Sequence, residues 1–151
     1  DMESSGRLID LILHEMGHVI GIGTIWDKKE LLEDSGSSDP RFTGEFATRE
    51  YNEIFANTES SVPVANTGGP GTANSHWRED VFGSELMTGY LDYSSNPISR
   101  VTAASLADLG YVVNLEAADD YTPTLSSNVL EPISPARSDE GYPTIRYCGC
   151  G

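Results

Sequence analysis

Two histidines, His14 and His18, with a glutamate directly after the first, are the residues of this sequence best suited to chemistry. They lie in the stretch HEMGHVIGIGTIW, residues 14–26. Side chains one helical turn apart project from the same side of a helix, so both imidazoles can bind one metal ion. Glu15 then falls beside the pair, where its carboxylate can take a proton from a metal-bound water. The HExxH pattern therefore predicts the beginning of a zinc hydrolase site.

A catalytic zinc normally has three protein ligands and leaves its fourth position to water. In the extended pattern HExxHxxGxxH, a glycine lets the chain turn back so that a third histidine reaches the metal. Here the glycine is present as Gly21, but the expected ligand position is Thr24, a poor zinc ligand. The chain contains 3 histidines, and His76 is the one that remains. His76 is therefore the leading candidate for the third ligand.

The residues alone leave two other interpretations open. Two histidines at the edge of a helical core, beside a surface glutamate, would give the same pattern without binding a metal. A glutamate could also be the third ligand, since Glu45, Glu50 and Glu53 lie on a predicted second helix. A charged helix face explains those glutamates more simply, and under that hypothesis His76 would be incidental.

The active-site helix is predicted from about Ser5 to Ile20 by its hydrophobic periodicity. Its apolar residues cover an arc wide enough for a mostly buried helix, and both histidines lie at the edge of that arc. Gly21 and Gly23 are expected to end the helix, as glycine does just past a helix end. This placement puts the histidines where a buried helix meets a cleft.

The remaining elements are shorter. A second helix is predicted over residues 45–57 and a third from about Pro97 to Leu109, with Asn96 as its N-cap. Residues 27–44 read as a loop, and YVVNL, residues 111–115, as a short strand. An extended piece and a glycine-rich turn are expected just before His76.

The composition and charge limit the classes of protein to which the chain can belong. The chain of 151 residues has 9 Lys+Arg against 24 Asp+Glu and a net charge of −15, which argues against nucleic-acid binding. No apolar run approaches the roughly 20 residues that span a bilayer. The beginning of the chain does not resemble a signal peptide and reads as a piece of something longer. Cys148 and Cys150 are too close in sequence for an unstrained disulfide and are expected to lie in a flexible tail.

A family resemblance follows from three motifs in order. After HEMGHVIGIG comes GTANSHW, which contains His76, and then SELM, in which Met87 precedes a tight Thr-Gly turn. A methionine on a turn beneath the zinc is a hallmark of metzincin peptidases. The sequence resembles the leishmanolysin family of that clan, in which a long insertion separates the helix from the third zinc histidine. The resemblance continues more loosely through ISRVTAASLADLGY and covers about residues 1–121.

The resemblance implies a zinc-dependent endopeptidase that binds one catalytic Zn²⁺. The implied zinc ligands are His14, His18 and His76. Glu15 is implied as the general base, which takes a proton from the zinc-bound water and later delivers it to the leaving amine. Met87 is implied as the hydrophobic floor of the site and Gly21 as the pivot glycine. Protein or peptide substrates and an extracellular or cell-surface location are also implied.

The implied fold is α+β and metzincin-like, with an active-site helix, a C-terminal subdomain containing the Met-turn and a later helix, and largely irregular structure elsewhere. We expect one partial catalytic domain over residues 1–151, with an insertion over 27–75 and an irregular tail over 122–151. The twisted sheet that precedes the helix in metzincins is not expected in this chain. The low cysteine content suggests a distant branch of the family, such as a bacterial one.

A non-catalytic, zinc-stabilised binding or structural module, or an inactive fragment of such a protease, is the alternative function. The intact Glu15 argues against it, because a purely structural site has no use for a base. The missing sheet argues for it.

Overall fold

The computed structural model describes residues 7–123 of the chain. The α-helices of this part are α1 (Arg7–Val19), α2 (Glu45–Phe55), α3 (Glu79–Phe82) and α4 (Arg100–Asp108). The strands β1 (Leu32–Glu33), β2 (Arg41–Phe42) and β3 (Val62–Pro63) form an antiparallel sheet in the order β1-β2-β3. Short 3-10 helices span Asp27–Lys29 and Leu115–Ala117. The predicted α+β class is confirmed at this coarse level.

Two of the three strands, β1 and β2, lie in the segment predicted to be a loop, residues 27–44. Phe42 of β2 pairs with Leu32 of β1 on one side and with Val62 of β3 on the other. Strands of two residues are too short to show an alternating pattern, which is why the loop prediction was wrong here.

The helix α4 begins later than its sequence predicted. Ser99 is the N-cap, and its hydroxyl accepts from Thr102 N at 3.3 Å. Asn96, the predicted cap, instead accepts from Asp92 N at 2.6 Å and donates to the Asp10 carboxylate of α1 at 2.9 Å. The prediction was wrong because the Asn96 side chain joins a loop to α1, and Ser99 is left to cap the helix.

The predicted burial of α1 was also wrong. The buried residues of this helix are His14, Gly17 and His18. Leu11 is partly buried, but the other large apolar side chains of the helix are exposed: Leu8, Ile9, Ile12, Leu13, Met16 and Val19, followed by Ile20 just beyond the helix. Only the side of α1 that bears the histidines packs against the rest of residues 7–123, because periodicity shows that a face is apolar without showing what covers it.

An aromatic cluster forms the centre of the core. Trp26, Phe42, Trp77 and Phe82 are each fully buried, and the Trp26 and Trp77 rings lie 4.8 Å apart. The helices α2 and α4 pack against each other, and the Asp108 carboxylate of α4 accepts from two backbone N–H groups in the first turn of α2. The core therefore ties the sheet and both helices to the segment that contains Trp77, next to His76.

Two further sequence predictions are addressed by the fold. The stretch 111–115 does not form a strand; Val112 is fully exposed, and Leu115 begins a 3-10 helix. An apolar run without a neighbouring strand to bond to cannot make a sheet, which explains the error.

Between residues 7 and 123, no helix has the length and hydrophobicity needed to cross a membrane. Cys148, Cys150 and nearly all of the predicted tail lie outside the described residues.

Candidate metal centre

The end of α1 is shaped by two glycines with positive φ. After His18 the backbone continues through Gly21, with φ of +121°, and Gly23, with φ of +74°, values that residues with a Cβ rarely adopt. This turn carries the Ile22 carbonyl back towards His18, whose Nδ1 donates to it at 2.9 Å. The same turn that ends the helix therefore also orients one of its histidines.

Gly23 also brings the end of α1 against the segment that contains His76. A Cβ built on Gly23 would lie 2.7 Å from the carbonyl carbon of Ser75 and 2.9 Å from its Cα, nearer than real Cβ atoms come to other atoms. Only glycine permits this approach. The close contact sets the distance between the two-histidine helix and the third histidine.

The segment of His76 is held on both sides by backbone hydrogen bonds. On one side, Ala65 N donates to the His76 carbonyl at 2.8 Å. On the other, Trp77 N donates to the Met87 carbonyl at 2.9 Å, and Trp77 forms a bridge with Thr88. The backbone of His76 is therefore held between the segment that contains Ala65 and the turn of residues 85–88.

The structure brings the three predicted histidines together. The Nε2 atoms of His14 and His18 are 3.1 Å apart, those of His14 and His76 are 3.1 Å apart, and those of His18 and His76 are 3.0 Å apart. The three side chains are buried, with exposures of 0%, 6% and 1% for His14, His18 and His76. They form the one group of three side chains among residues 7–123 that could hold a metal ion.

The hydrogen-bond partner of each Nδ1 determines which nitrogen of the ring carries the hydrogen. Each Nδ1 lies against a backbone carbonyl: Leu86 O for His14 at 2.7 Å, Ile22 O for His18 at 2.9 Å and Thr72 O for His76 at 3.0 Å. A carbonyl oxygen can only accept, so Nδ1 must carry the hydrogen, and the Nε2 of a neutral ring is left with a lone pair. Three lone pairs therefore point at one another with no hydrogen between them.

Burial keeps two of these rings neutral. It lowers the pKa of His14 to about 4, although the hydrogen bond to the Leu86 carbonyl opposes the shift. It lowers the pKa of His76 to about 3, and the neighbouring His18 and His14 lower that pKa further. Since neutral imidazole is the form that binds metals, both rings are ready to act as ligands at pH 7.

The donor set fits a zinc ion. With zinc–nitrogen bonds of about 2.0–2.1 Å, tetrahedral geometry separates neighbouring ligand atoms by about 3.3–3.4 Å. The observed separations of 3.0–3.1 Å are within a few tenths of an ångström of that value. Three converging lone pairs cannot hydrogen-bond to one another, but one cation satisfies all three.

The glutamates considered as alternative ligands are placed differently. The Glu50 carboxylate accepts from Arg100 at 2.8 Å and from Arg49 at 3.3 Å, so its charge is already paired. Its helix, α2, packs against α4. Among residues 7–123, the side chain that joins His14 and His18 in one possible metal-binding group is His76 and not a glutamate, which favours His76 over these carboxylates.

The other residues considered for the site lie on α1 or in the turn that follows it. Glu15 is partly buried on α1 beside His14. Thr24 does not take a ligand position; its hydroxyl donates to the His18 carbonyl at 2.8 Å. Gly21 is in the turn that ends α1, as expected.

Met87 packs directly against α1 between the two histidines of the helix. It is 1% exposed, and a Cβ built on Gly17 would lie 2.8 Å from its Sδ atom. Sequence reasoning identified Met87 but missed the contact with Gly17. A glycine inside a helix costs about 1 kcal/mol relative to alanine, so its presence in HEMGH was a signal that something packs there.

A cavity of about 400 Å³ adjoins the cluster. His18 lines it together with Thr24 and Asp27 from the turn after α1, and with Asn74 and Ser75 from the segment before His76. The cavity therefore meets the histidine cluster at His18.

Comparison with known proteins identifies relatives of this chain. The family model for leishmanolysin, a peptidase family, matches residues 3–124. Two leishmanolysin-like peptidases, from Caenorhabditis briggsae and Caenorhabditis elegans, are each 44% identical to this chain over 59 residues. The matched segment covers 38% of this chain and 9% of either relative, so the chain corresponds to a small part of the relatives' length.

Proposed function

Because the chain belongs to the leishmanolysin family, we propose that it carries the catalytic metal centre of a zinc-dependent endopeptidase. The observation that supports this proposal best is the convergence of three buried imidazole Nε2 atoms within 3.0–3.1 Å of one another. His14, His18 and His76 are the proposed ligands of a single Zn²⁺. Glu15, directly after the first ligand, is the proposed general base.

In the proposed reaction, the bound zinc would polarise the scissile carbonyl and lower the pKa of water to about 7. The Glu15 carboxylate accepts a proton from the attacking water as its oxygen bonds to the carbonyl carbon. Glu15 then donates this proton to the amine nitrogen as the carbon–nitrogen bond breaks. The products are two shorter peptides, one with a new carboxylate and the other with a new amine.

The other residues hold the reacting groups in place. The carbonyls of Leu86, Ile22 and Thr72 fix the tautomer and the orientation of the three imidazoles. Met87 is the proposed hydrophobic floor and Gly21 the proposed pivot. Protein or peptide substrates would reach the site from the cavity beside His18, and the family resemblance favours action outside the cell or at its surface.

Cleavage of casein by the zinc-loaded chain tests the proposal, with Glu15→Ala measured in parallel. We expect cleavage by the wild type and a loss of at least about 10²-fold in the variant, because general base catalysis contributes about 10²–10⁴-fold. Glu53→Ala, at an exposed glutamate of α2, is the matched control and should cleave normally. Zinc content should remain at one ion per chain in all three proteins.

A zinc-loaded wild type without activity, or equal cleavage by the wild type and Glu15→Ala, would contradict the proposal. The first result would favour the alternative function, a zinc-stabilised module that does not catalyse hydrolysis.

A further inference from the structure

Glu85 is a fully buried carboxylate that the proposed reaction does not use. Its side chain is 0% exposed, although charged residues are rarely buried without partners. One carboxylate oxygen accepts from Met87 N at 2.6 Å. The other accepts from Ser99 N at 3.0 Å, from the Ser99 hydroxyl at 2.8 Å and from the Thr102 hydroxyl. These four donors satisfy an ionised carboxylate.

The groups around Glu85 are all hydrogen-bond donors, which suits the two acceptor oxygens of a carboxylate. The Trp77 indole N–H donates to Thr102 Oγ1 at 2.8 Å, so the Thr102 hydroxyl hydrogen is left for Glu85. The backbone N–H groups of Met87 and Ser99 can only donate. Burial raises the pKa of Glu85, and the hydrogen bonds from Thr102, Met87 and Ser99 oppose that shift.

Glu85 begins the turn that contacts the histidine cluster from two directions. Leu86, the next residue, supplies the carbonyl that accepts from His14 Nδ1 at 2.7 Å. Met87 packs against α1 at Gly17, and its carbonyl accepts from the N–H of Trp77, the neighbour of His76. The position of this turn therefore affects both a ligand on α1 and the segment of the third ligand.

The turn is joined to α4 through Glu85. Ser99 is the N-cap of α4 and Thr102 lies in its first turn, where unpaired N–H groups favour a negative charge. Leu86 N also donates to the Pro97 carbonyl at 2.9 Å, just before the helix. Glu85 thus connects the start of α4, which packs in the core, to the turn that touches the histidines.

We propose that Glu85 is a positioning residue of the metal centre, whose carboxylate holds the turn of residues 85–88 so that the Leu86 carbonyl orients His14. The proposal rests on the proposed function for the identity of the metal, but the orientation of His14 can be measured without any metal. Through His14, Glu85 sets the zinc affinity of the cluster.

Glu85→Gln is the sharpest test, because it keeps the size of the side chain and replaces one acceptor oxygen with an amide that donates. Three donors face one oxygen and one donor faces the other, so the amide nitrogen is expected at the Met87 side. Met87 N then loses its acceptor. Asp108→Asn is the matched control, since Asp108 accepts from the N–H groups of Phe46 and Ala47 at the start of α2.

Two measurements on the full chain separate positioning from general destabilisation. Zinc affinity is measured by competition with a chromophoric chelator, at a temperature where circular dichroism shows every variant folded. The ring nitrogens of His14 are observed by long-range ¹H–¹⁵N correlation in the metal-free protein, where the wild type should show its proton on Nδ1. Residues that orient a metal ligand typically change metal affinity by about 10–100-fold when replaced.

We expect Glu85→Gln to weaken zinc binding by at least about tenfold and to shift the His14 nitrogen signals, with neither change in Asp108→Asn. Wild-type affinity and unchanged His14 signals in Glu85→Gln would overturn the proposal. If the wild type binds no zinc, the proposed function fails, and the His14 signals alone decide the role of Glu85. If Glu85→Gln does not fold, Ser99→Ala is the test variant. It should also weaken zinc binding and shift the His14 nitrogen signals, and an unchanged affinity with unchanged signals would overturn the proposal.

Discussion

Replacing Gly23 with alanine tests how the end of α1 is joined to the segment of the third histidine. The new Cβ would lie 2.7 Å from the Ser75 carbonyl carbon, where ordinary contact begins at 3.4 Å. The two backbones must therefore separate by about 0.7 Å for this carbon alone, and by more for the carbonyl oxygen, which is nearer. Because the obstacle is backbone, no rotation of a side chain can relieve it.

The expected loss of stability has two parts. Alanine at φ of +74° costs about 1–2 kcal/mol, and a steric overlap in a packed region adds about 1–3 kcal/mol. The sum, about 2–5 kcal/mol, is a large share of the 5–15 kcal/mol that typically stabilises a domain. Since metal–ligand distances tolerate only about 0.2 Å, displacing Ser75 should also remove the adjacent His76 from the metal. Zinc affinity should then fall by at least the roughly 10–100-fold that follows when a ligand loses its support.

Gly69→Ala is the matched control. Gly69 has a φ of +76°, and a Cβ built there meets no atom within 4 Å, so only the backbone cost of about 1–2 kcal/mol remains. Urea unfolding gives the two free energies, and the visible spectrum of the cobalt-substituted proteins reports the ligand set. Equal losses of stability in the two variants, with unchanged cobalt spectra, would refute the reasoning.

Two further predictions concern the third ligand and the exposed side of α1. Zinc at about 100 times its dissociation constant should stabilise the wild type by about 2.7 kcal/mol, and His76→Ala should abolish this gain in thermal unfolding. A gain that survives would favour a glutamate ligand from α2. Ile9→Lys should change the free energy of unfolding by less than about 0.5 kcal/mol because Ile9 is 64% exposed. Ile22→Ala, at a residue 2% exposed, should cost about 2–5 kcal/mol, and equal losses would contradict the observed exposure of α1.

Local spacing predicted the parts of the site that belong to one element. His14 and His18 share a helical face because they are four residues apart, and the structure places both on the buried side of α1. The helices α2 and α4 were also predicted from periodicity, with ends displaced by a few residues. His76 was selected by counting histidines, and the structure brings it to the other two across 58 and 62 residues of sequence.

The contacts that orient the histidines had no signature in the sequence. The acceptors are the backbone carbonyls of Ile22, Thr72 and Leu86, and a carbonyl is present whatever the residue type. Glu85 could not be identified either, because a glutamate is usually at the surface and three of its four donors come from the start of α4, which is distant in sequence. Tertiary packing, not residue type, determines these features.

This arrangement indicates which positions the proposed metal centre is most sensitive to. A substitution at Ile22 or Leu86 that keeps the backbone in place leaves the orienting carbonyl intact, since the side chain does not make the hydrogen bond. The sensitive positions are those that set the backbone itself: Gly23, which permits the approach of Ser75, and Glu85, which holds the turn containing Leu86. Neither residue is a proposed ligand or general base. The geometry of the three imidazoles therefore depends on these two positions as well as on the histidines that would bind the metal.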